Sequence, residues 1–206
     1  MSLIFPARRR TPPPSHRPST TLFDTGGLLT LAVDAGLWNL AVSRFSGTAR
    51  TVVAVVKELE HLRKDTNVGG LATAALADLA WLGDPIVLDE DAGRKQAERL
   101  RNIIAAGRPL THDLQHYAEA ALIVVGRPIG AQAIIEDYDA RVAAQGNGVR
   151  PMSVHKLLHL WIRQGVLTSA QAFEYSEAIR SAKRGMDYTE EELIEGGFKL
   201  GRVGQP

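Results

Sequence analysis

The sequence predicts a single α/β domain, a parallel sheet with helices on both faces. Three observations carry that expectation. The 206-residue length suits one ordinary domain, with 45% apolar and 23% charged residues as in a water-soluble globular chain. Short runs of β-branched and apolar residues alternate with stretches whose apolar residues recur at helical spacing. Acidic residues stand where strands end and helices begin, at Asp24 and Asp137.

The first strand is read at residues 21–23, ending on Asp24. Thr25-Gly26-Gly27 makes a tight turn into the apolar helix 28–32, the opening of a βα unit. Leu37, Trp38, Leu40, Ala41 and Val42 predict a second helix. The β-branched run 51–54 predicts the second strand, and Val55, Val56, Leu59 and Leu62 a helix after it. Asn67 is read as the cap of a helix over 69–82, stopped by Gly83-Asp84-Pro85. Residues 86–88 read as a short buried strand. Asp89, Glu90 and Asp91 lead a helix that turns basic at Arg94, Lys95, Arg99 and Arg101, in keeping with the helix dipole. Thr111 is read as the N-cap of a helix running to about Val125. Strands are then predicted over 131–135 and 149–152, with a helix over 138–144 between them. Helices over 153–163 and 168–183 close the domain. Beyond them Thr189 and Glu192 form a capping box on a short amphipathic helix that docks on a neighbour or on its own body.

Three segments follow. Residues 1–20 hold Arg8, Arg9, Arg10, Arg17 and five of the ten prolines, and read as a disordered basic tail. Residues 21–183 form the domain, and 184–206 a C-terminal tail. No sustained apolar run follows the arginines, so no signal peptide is predicted, and no run is long enough to span a bilayer. A cytoplasmic protein with no membrane contact is the expectation. The absence of cysteine excludes disulfides, thiolate zinc sites and cysteine nucleophiles. Outside the tail there are 20 basic and 23 acidic residues, a net charge of −3. Such a body is no footprint for tight duplex binding, but it suits a site that concentrates carboxylates.

Four acids are candidates for that site. Asp24 and Asp137 end strands, and a parallel sheet binds ligands beyond the carboxyl ends of its strands. Glu58 lies in the helix after the second strand. Glu119 lies in the alanine-rich run 117–123, where an unpaired charge is costly. Gathered together, they would repel one another unless cations bound, and hard ions such as Mg²⁺ or Mn²⁺ want such oxygen ligands. Each acid has an ordinary alternative. Asp24 serves equally as a turn or cap residue, Glu58 as a solvated residue with Glu60 its rival, and Asp137 is flanked by Glu136 and Asp139. Asp24-Thr25-Gly26-Gly27 matches neither a P-loop nor a dinucleotide fingerprint. His116 shares the face of Glu119 and reads as a surface histidine or as a group that polarises a phosphate. Leu157, Leu158, Leu160, Trp161 and Ile162 read as core, with a dimer face as the alternative.

The order of these motifs resembles that of PIN-domain nucleases. Phe23-Asp24-Thr25 is similar to that family's opening strand and acid, and Val52-Val53-Ala54-Val55-Val56-Lys57-Glu58-Leu59 to its second strand and helical Glu-Leu. Ala118-Glu119-Ala120 resembles its third acid, with alanine for the common glycine. Ile134-Ile135-Glu136-Asp137-Tyr138-Asp139-Ala140-Arg141 resembles its fourth motif, with Ile135 where many members carry Ser or Thr. The resemblance covers residues 21–163. It implies a three-layer α/β/α sandwich and an Mg²⁺- or Mn²⁺-dependent ribonuclease, often the toxin of a toxin–antitoxin pair. It also implies RNA as substrate, an antitoxin protein as partner and a homodimer. Asp24, Glu58, Glu119 and Asp137 would be its catalytic, metal-binding acids, Asp139 an auxiliary acid, and Thr25 the group that orients Asp24 or an attacking water. Residues 69–107 and the C-terminal tail fall outside the resemblance. A catalytically silent PIN-like module that binds RNA or protein is the competing expectation.

Overall fold

The computed structural model describes residues 20–88, 91–110, 112–184 and 188–196. The disorder expected of the N-terminal tail and the cap expected at Thr111 lie outside these residues. Strand β1 (Thr21–Phe23) has every residue buried. That is why it reads as a continuous apolar run rather than an alternating one, since a parallel strand covered on both faces has no solvent side. Four parallel strands form the sheet, in the order β2 (Ala49–Arg50), β1, β3 (Gln132–Ile134), β4 (Arg150–Met152). Each connection is a helical crossover. Helices α1 (Thr25–Leu31) and α2 (Ala35–Phe45) lead from β1 to β2. Helices α3 (Val53–Leu62), α4 (Gly69–Ala77), α5 (Asp91–Ala105) and α6 (Tyr117–Gly126) carry the chain across to β3. Helix α7 (Tyr138–Gly146) joins β3 to β4. After β4 come α8 (Val154–Arg163), α9 (Ser169–Ser181) and α10 (Glu190–Glu195). The fold is therefore α/β with an all-parallel sheet, as expected.

One core unites the elements. Phe23 meets Phe45 edge-on at 5.3 Å and Trp81 at 5.1 Å, and Trp81 in turn meets Trp38 at 5.8 Å. These are the T-shaped contacts that aromatic quadrupoles favour. Leu157, Leu158 and Trp161 of α8 lie buried in this same core, so the apolar face of that helix is covered within the chain.

Several expected boundaries differ. The second strand stops at Arg50, and the chain enters α3 at Val53. Thr51 and Val52 are buried ahead of the helix and Val53 opens it half-buried, because packing overrides an intrinsic preference of a few tenths of a kcal/mol, roughly. Residues 86–88 form no strand. Ile86 makes a single parallel bridge to Val52, while Val87 is 58% exposed. The helix expected over 69–82 ends at Ala77 and is followed by a 3₁₀ turn at Ala80–Leu82. Its start is not capped by Asn67. The Asp65 carboxylate instead accepts from the backbone N–H groups of Asn67 and Val68. The short C-terminal helix forms with its Thr189–Glu192 capping box and docks on the chain's own body, burying Leu193 against α8 and α9. Among the described residues no helix is long and apolar enough to cross a membrane.

Candidate functional site

The strand order dictates where a ligand cleft opens. From β1 the chain moves outward to β2, then returns past β1 to add β3 and β4 on the other side. The order reverses between β1 and β3, and a crevice forms there beyond the carboxyl ends of the strands. Asp24 follows β1 and Glu136 and Asp137 follow β3, so the reversal brings these acids to one place.

Asp24 is fully buried and bridges the two sides. One carboxylate oxygen accepts from the Gly27 N–H of its own turn, capping α1, and the other accepts from the Glu136 N–H at 3.2 Å. The turn requires glycine at this point. A Cβ on Gly27 would stand 2.9 Å from Asp24 Oδ1 and 2.9 Å from Ile134 Cγ2. Burial, with help from the Glu136 and Glu58 charges, nonetheless pushes the Asp24 carboxyl up from 3.8 to about 8, against the lowering effect of its two N–H donors.

Glu58 and Glu119 approach from α3 and α6, which pack together. The Thr25 hydroxyl donates to Glu58 Oε2, and burial raises the Glu58 carboxyl while this bond lowers it. Glu60 is exposed, which decides between the two rivals in favour of Glu58. Glu119 is half-buried as a residue, yet its Oε2 is closed off from solvent and has no hydrogen-bond partner. Burial raises its carboxyl well above the ordinary range, and the charges of Glu58, Asp24 and Asp137 push it further. An orphaned carboxylate oxygen inside a cluster of mutually repelling acids is the signature of a pocket that needs a cation or protons.

The other expected site residues sit differently. Asp137 lies within electrostatic reach of Glu119, but its carboxylate caps α7 through the Ala140 N–H at 2.7 Å. Asp139 is paired with Arg108 at 2.7 Å in an exposed ion pair. Thr25 orients Glu58 rather than Asp24. His116, at φ 59°, precedes α6 in a left-handed conformation and is held below its ordinary range mainly by burial, with Asp137, Arg108 and Asp139 acting on it. Arg101, on the basic face of α5, holds the carbonyls of His112 and Gln115.

Glu136, which the sequence offers only as a flanking neighbour of Asp137, is a further participant. Its Oε1 accepts from the Val154 N–H at 2.6 Å, and burial raises its carboxyl against the lowering charges of Arg141 and Arg184. Arg141 donates to the carbonyls of Ile135 and Glu136, and Arg184 to that of Gly26, so two guanidinium groups brace the rim of the crevice. The apolar run 133–135 ends directly on Glu136, which was the available signal.

Oxygen donors, an orphaned buried carboxylate and raised carboxyls fit a hard divalent cation in charge and chemistry. The spacing is less complete. Among the described residues no three Asp, Glu or His side chains stand close enough together to hold one ion. Compared with protein-family models, curated proteins and solved structures, the chain matches none.

Proposed function

We propose that this chain is a metal-dependent endoribonuclease of PIN-like, three-layer α/β/α architecture, acting through Mg²⁺ or Mn²⁺ in the switch-point crevice. The observation that carries the reading is the Asp24–Glu58–Glu119 cluster, three carboxyls raised by burial, one of them with an oxygen that nothing satisfies. Asp24, Glu58 and Glu119 would be the ligands, drawn closer by the ion than they stand without it, with Asp137 at the margin. A bound divalent cation supplies Lewis acidity toward a phosphodiester and lowers the pKa of water. The chain's own residues prepare the place. Gly27 and Glu136 N–H groups fix the Asp24 carboxylate, Thr25 sets the orientation of Glu58, Arg141 steadies the loop that carries Glu136, and Arg184 steadies the Gly26 turn.

A catalytically silent module that binds RNA or protein is the second reading, favoured by the absence of three convergent donors among the described residues. The readings separate on one assay. Incubation of single-stranded RNA with the full chain and Mn²⁺ is expected to give cleavage that chelation stops and that Asp24→Asn removes without unfolding. A folded chain that leaves RNA intact with both metals would establish the silent module. Toxin status and an antitoxin partner follow only if cleavage in cells arrests growth, and homodimerisation only if the chain sediments as a dimer.

A further inference from the structure

A second charged feature lies along β4 and α8. A cavity of about 540 Å³ opens between α7, β4, α8 and Gly196, and a second of about 370 Å³ adjoins it, sharing Gln145, Pro151 and Lys156. Together they form one trough along the β4 edge of the sheet. Arg141, Lys156, Arg163 and His159 line the first cavity and Arg150 the second. Among the described residues no Asp or Glu lines either. Arg150, Lys156 and Arg163 are exposed, and among the described residues none of them forms an ion pair. Outside the first 20 residues the chain is net negative, so a trough with cations alone stands out against an acidic body.

The trough is joined to the crevice. Arg141 grips the Glu136 carbonyl at its inner end, and the N–H of that same residue donates to Asp24. Tyr138, in the wall, lies under the Arg141 guanidinium at 6.0 Å. We infer that this trough is the track for the phosphate backbone of single-stranded RNA, leading the strand to the acidic crevice. The inference rests on the nuclease reading for its choice of RNA. Exposed cations from separate elements suit a flexible single strand, which can adjust its phosphates to them, and need no base-specific contact.

The test uses the full chain with chelator present, so that binding is read without cleavage. Fluorescence anisotropy of a labelled single-stranded oligoribonucleotide is compared for the parent, the triple variant Arg150→Gln/Lys156→Gln/Arg163→Gln, and a charge-matched control away from the trough, Arg63→Gln/Lys64→Gln/Lys95→Gln. The trough variant is expected to bind at least about tenfold more weakly, with the slope of log affinity against log salt reduced by about 2. Its thermal melt should match the parent, since all three side chains are exposed. The control should lose less than about threefold. Binding that is lost in the trough variant and kept in the control supports the track even if no form of the chain cleaves RNA, in which case the nuclease reading alone fails. Equal affinity and equal salt slope in the trough variant would overturn the track. So would tighter binding of a polyglutamate peptide than of RNA at equal charge and salt, which would assign the trough to an acidic protein.

Discussion

The crevice at the head of β1 and β3 and the trough along β4 both concentrate one sign of charge, and they treat it in opposite ways. In the crevice Asp24 is sealed from water and its carboxyl is pushed up to about 8. In the trough Arg150, Lys156 and Arg163 stand in solvent. Buried like charges are costly one by one, change protonation state, and act as a unit that a cation completes. Exposed charges are stable without partners and contribute additively to a long-range attraction that salt weakens. Binding a metal and binding a polyanion thus call for different environments, and the Glu136 peptide links the two.

The contrast can be broken first at Asp24. Asp24→Asn is expected to lower kcat for RNA cleavage by roughly 10²–10³-fold and, above about pH 8, where the parent carries a buried charge, to raise the melting temperature of the metal-free chain. A melt that falls instead would mean that the carboxylate is already satisfied. Next in size is the turn that holds it. Gly27→Ala forces a methyl group against Asp24 Oδ1 and Ile134, and a loss on the order of 2–3 kcal/mol is expected by denaturant titration. A loss below about 0.5 kcal/mol would show that the turn yields freely.

A third test uses pH. Between 3.8 and about 8 the folded chain keeps a proton on Asp24 that the unfolded chain has released, so metal-free stability falls as pH rises through that window. His155, buried with both ring nitrogens unpartnered, is pushed down from 6.5 to about 4. Between those values the folded chain carries fewer protons there than the unfolded one, so this contribution is lost as pH falls. The two effects oppose each other below 6.5. Above it only the acids act, and stability should drop by about 2 kcal/mol up to pH 8, read as a fall of roughly 4–8 °C in Tm. Saturating Mn²⁺ should restore it. A flat metal-free profile would contradict the protonated crevice. The smallest effect is expected at Asp139, whose pair with Arg108 is exposed. Asp139→Asn should change stability by less than about 0.5 kcal/mol and leave cleavage unchanged. A marked loss of cleavage would restore the auxiliary role that the family resemblance implies.

Much of this arrangement was legible in the sequence, and what was hidden has physical reasons. The buried run Thr21–Phe23 closing on Asp24 and two glycines could be read directly, because turn chemistry is local. The β-branched run 51–54 misled, since the chain is already helical from Val53, whereas Val55, Val56, Leu59 and Leu62 were read as the helix they form. At the fourth motif a correct signal concealed another. Asp137 carries the pattern of an N-cap and is one, whereas the carboxyl that acts on Asp24 belongs to Glu136, a choice fixed by the β1–β3 register. The trough left no mark in the sequence, because Arg141, Arg150, Lys156 and Arg163 come from three separate elements. Glu119 was read for a reason that held, a carboxylate in an alanine-rich packed helix with no partner in view.

The central claim is that the crevice holds protons which a divalent cation displaces. Titration calorimetry of Mn²⁺ into the metal-free full chain near neutral pH, in two buffers of different ionisation enthalpy, measures that exchange. Saturable binding with release of about one proton or more per ion is expected, and Asp24→Asn should abolish both. No binding, or binding that releases no proton and survives Asp24→Asn, would contradict it.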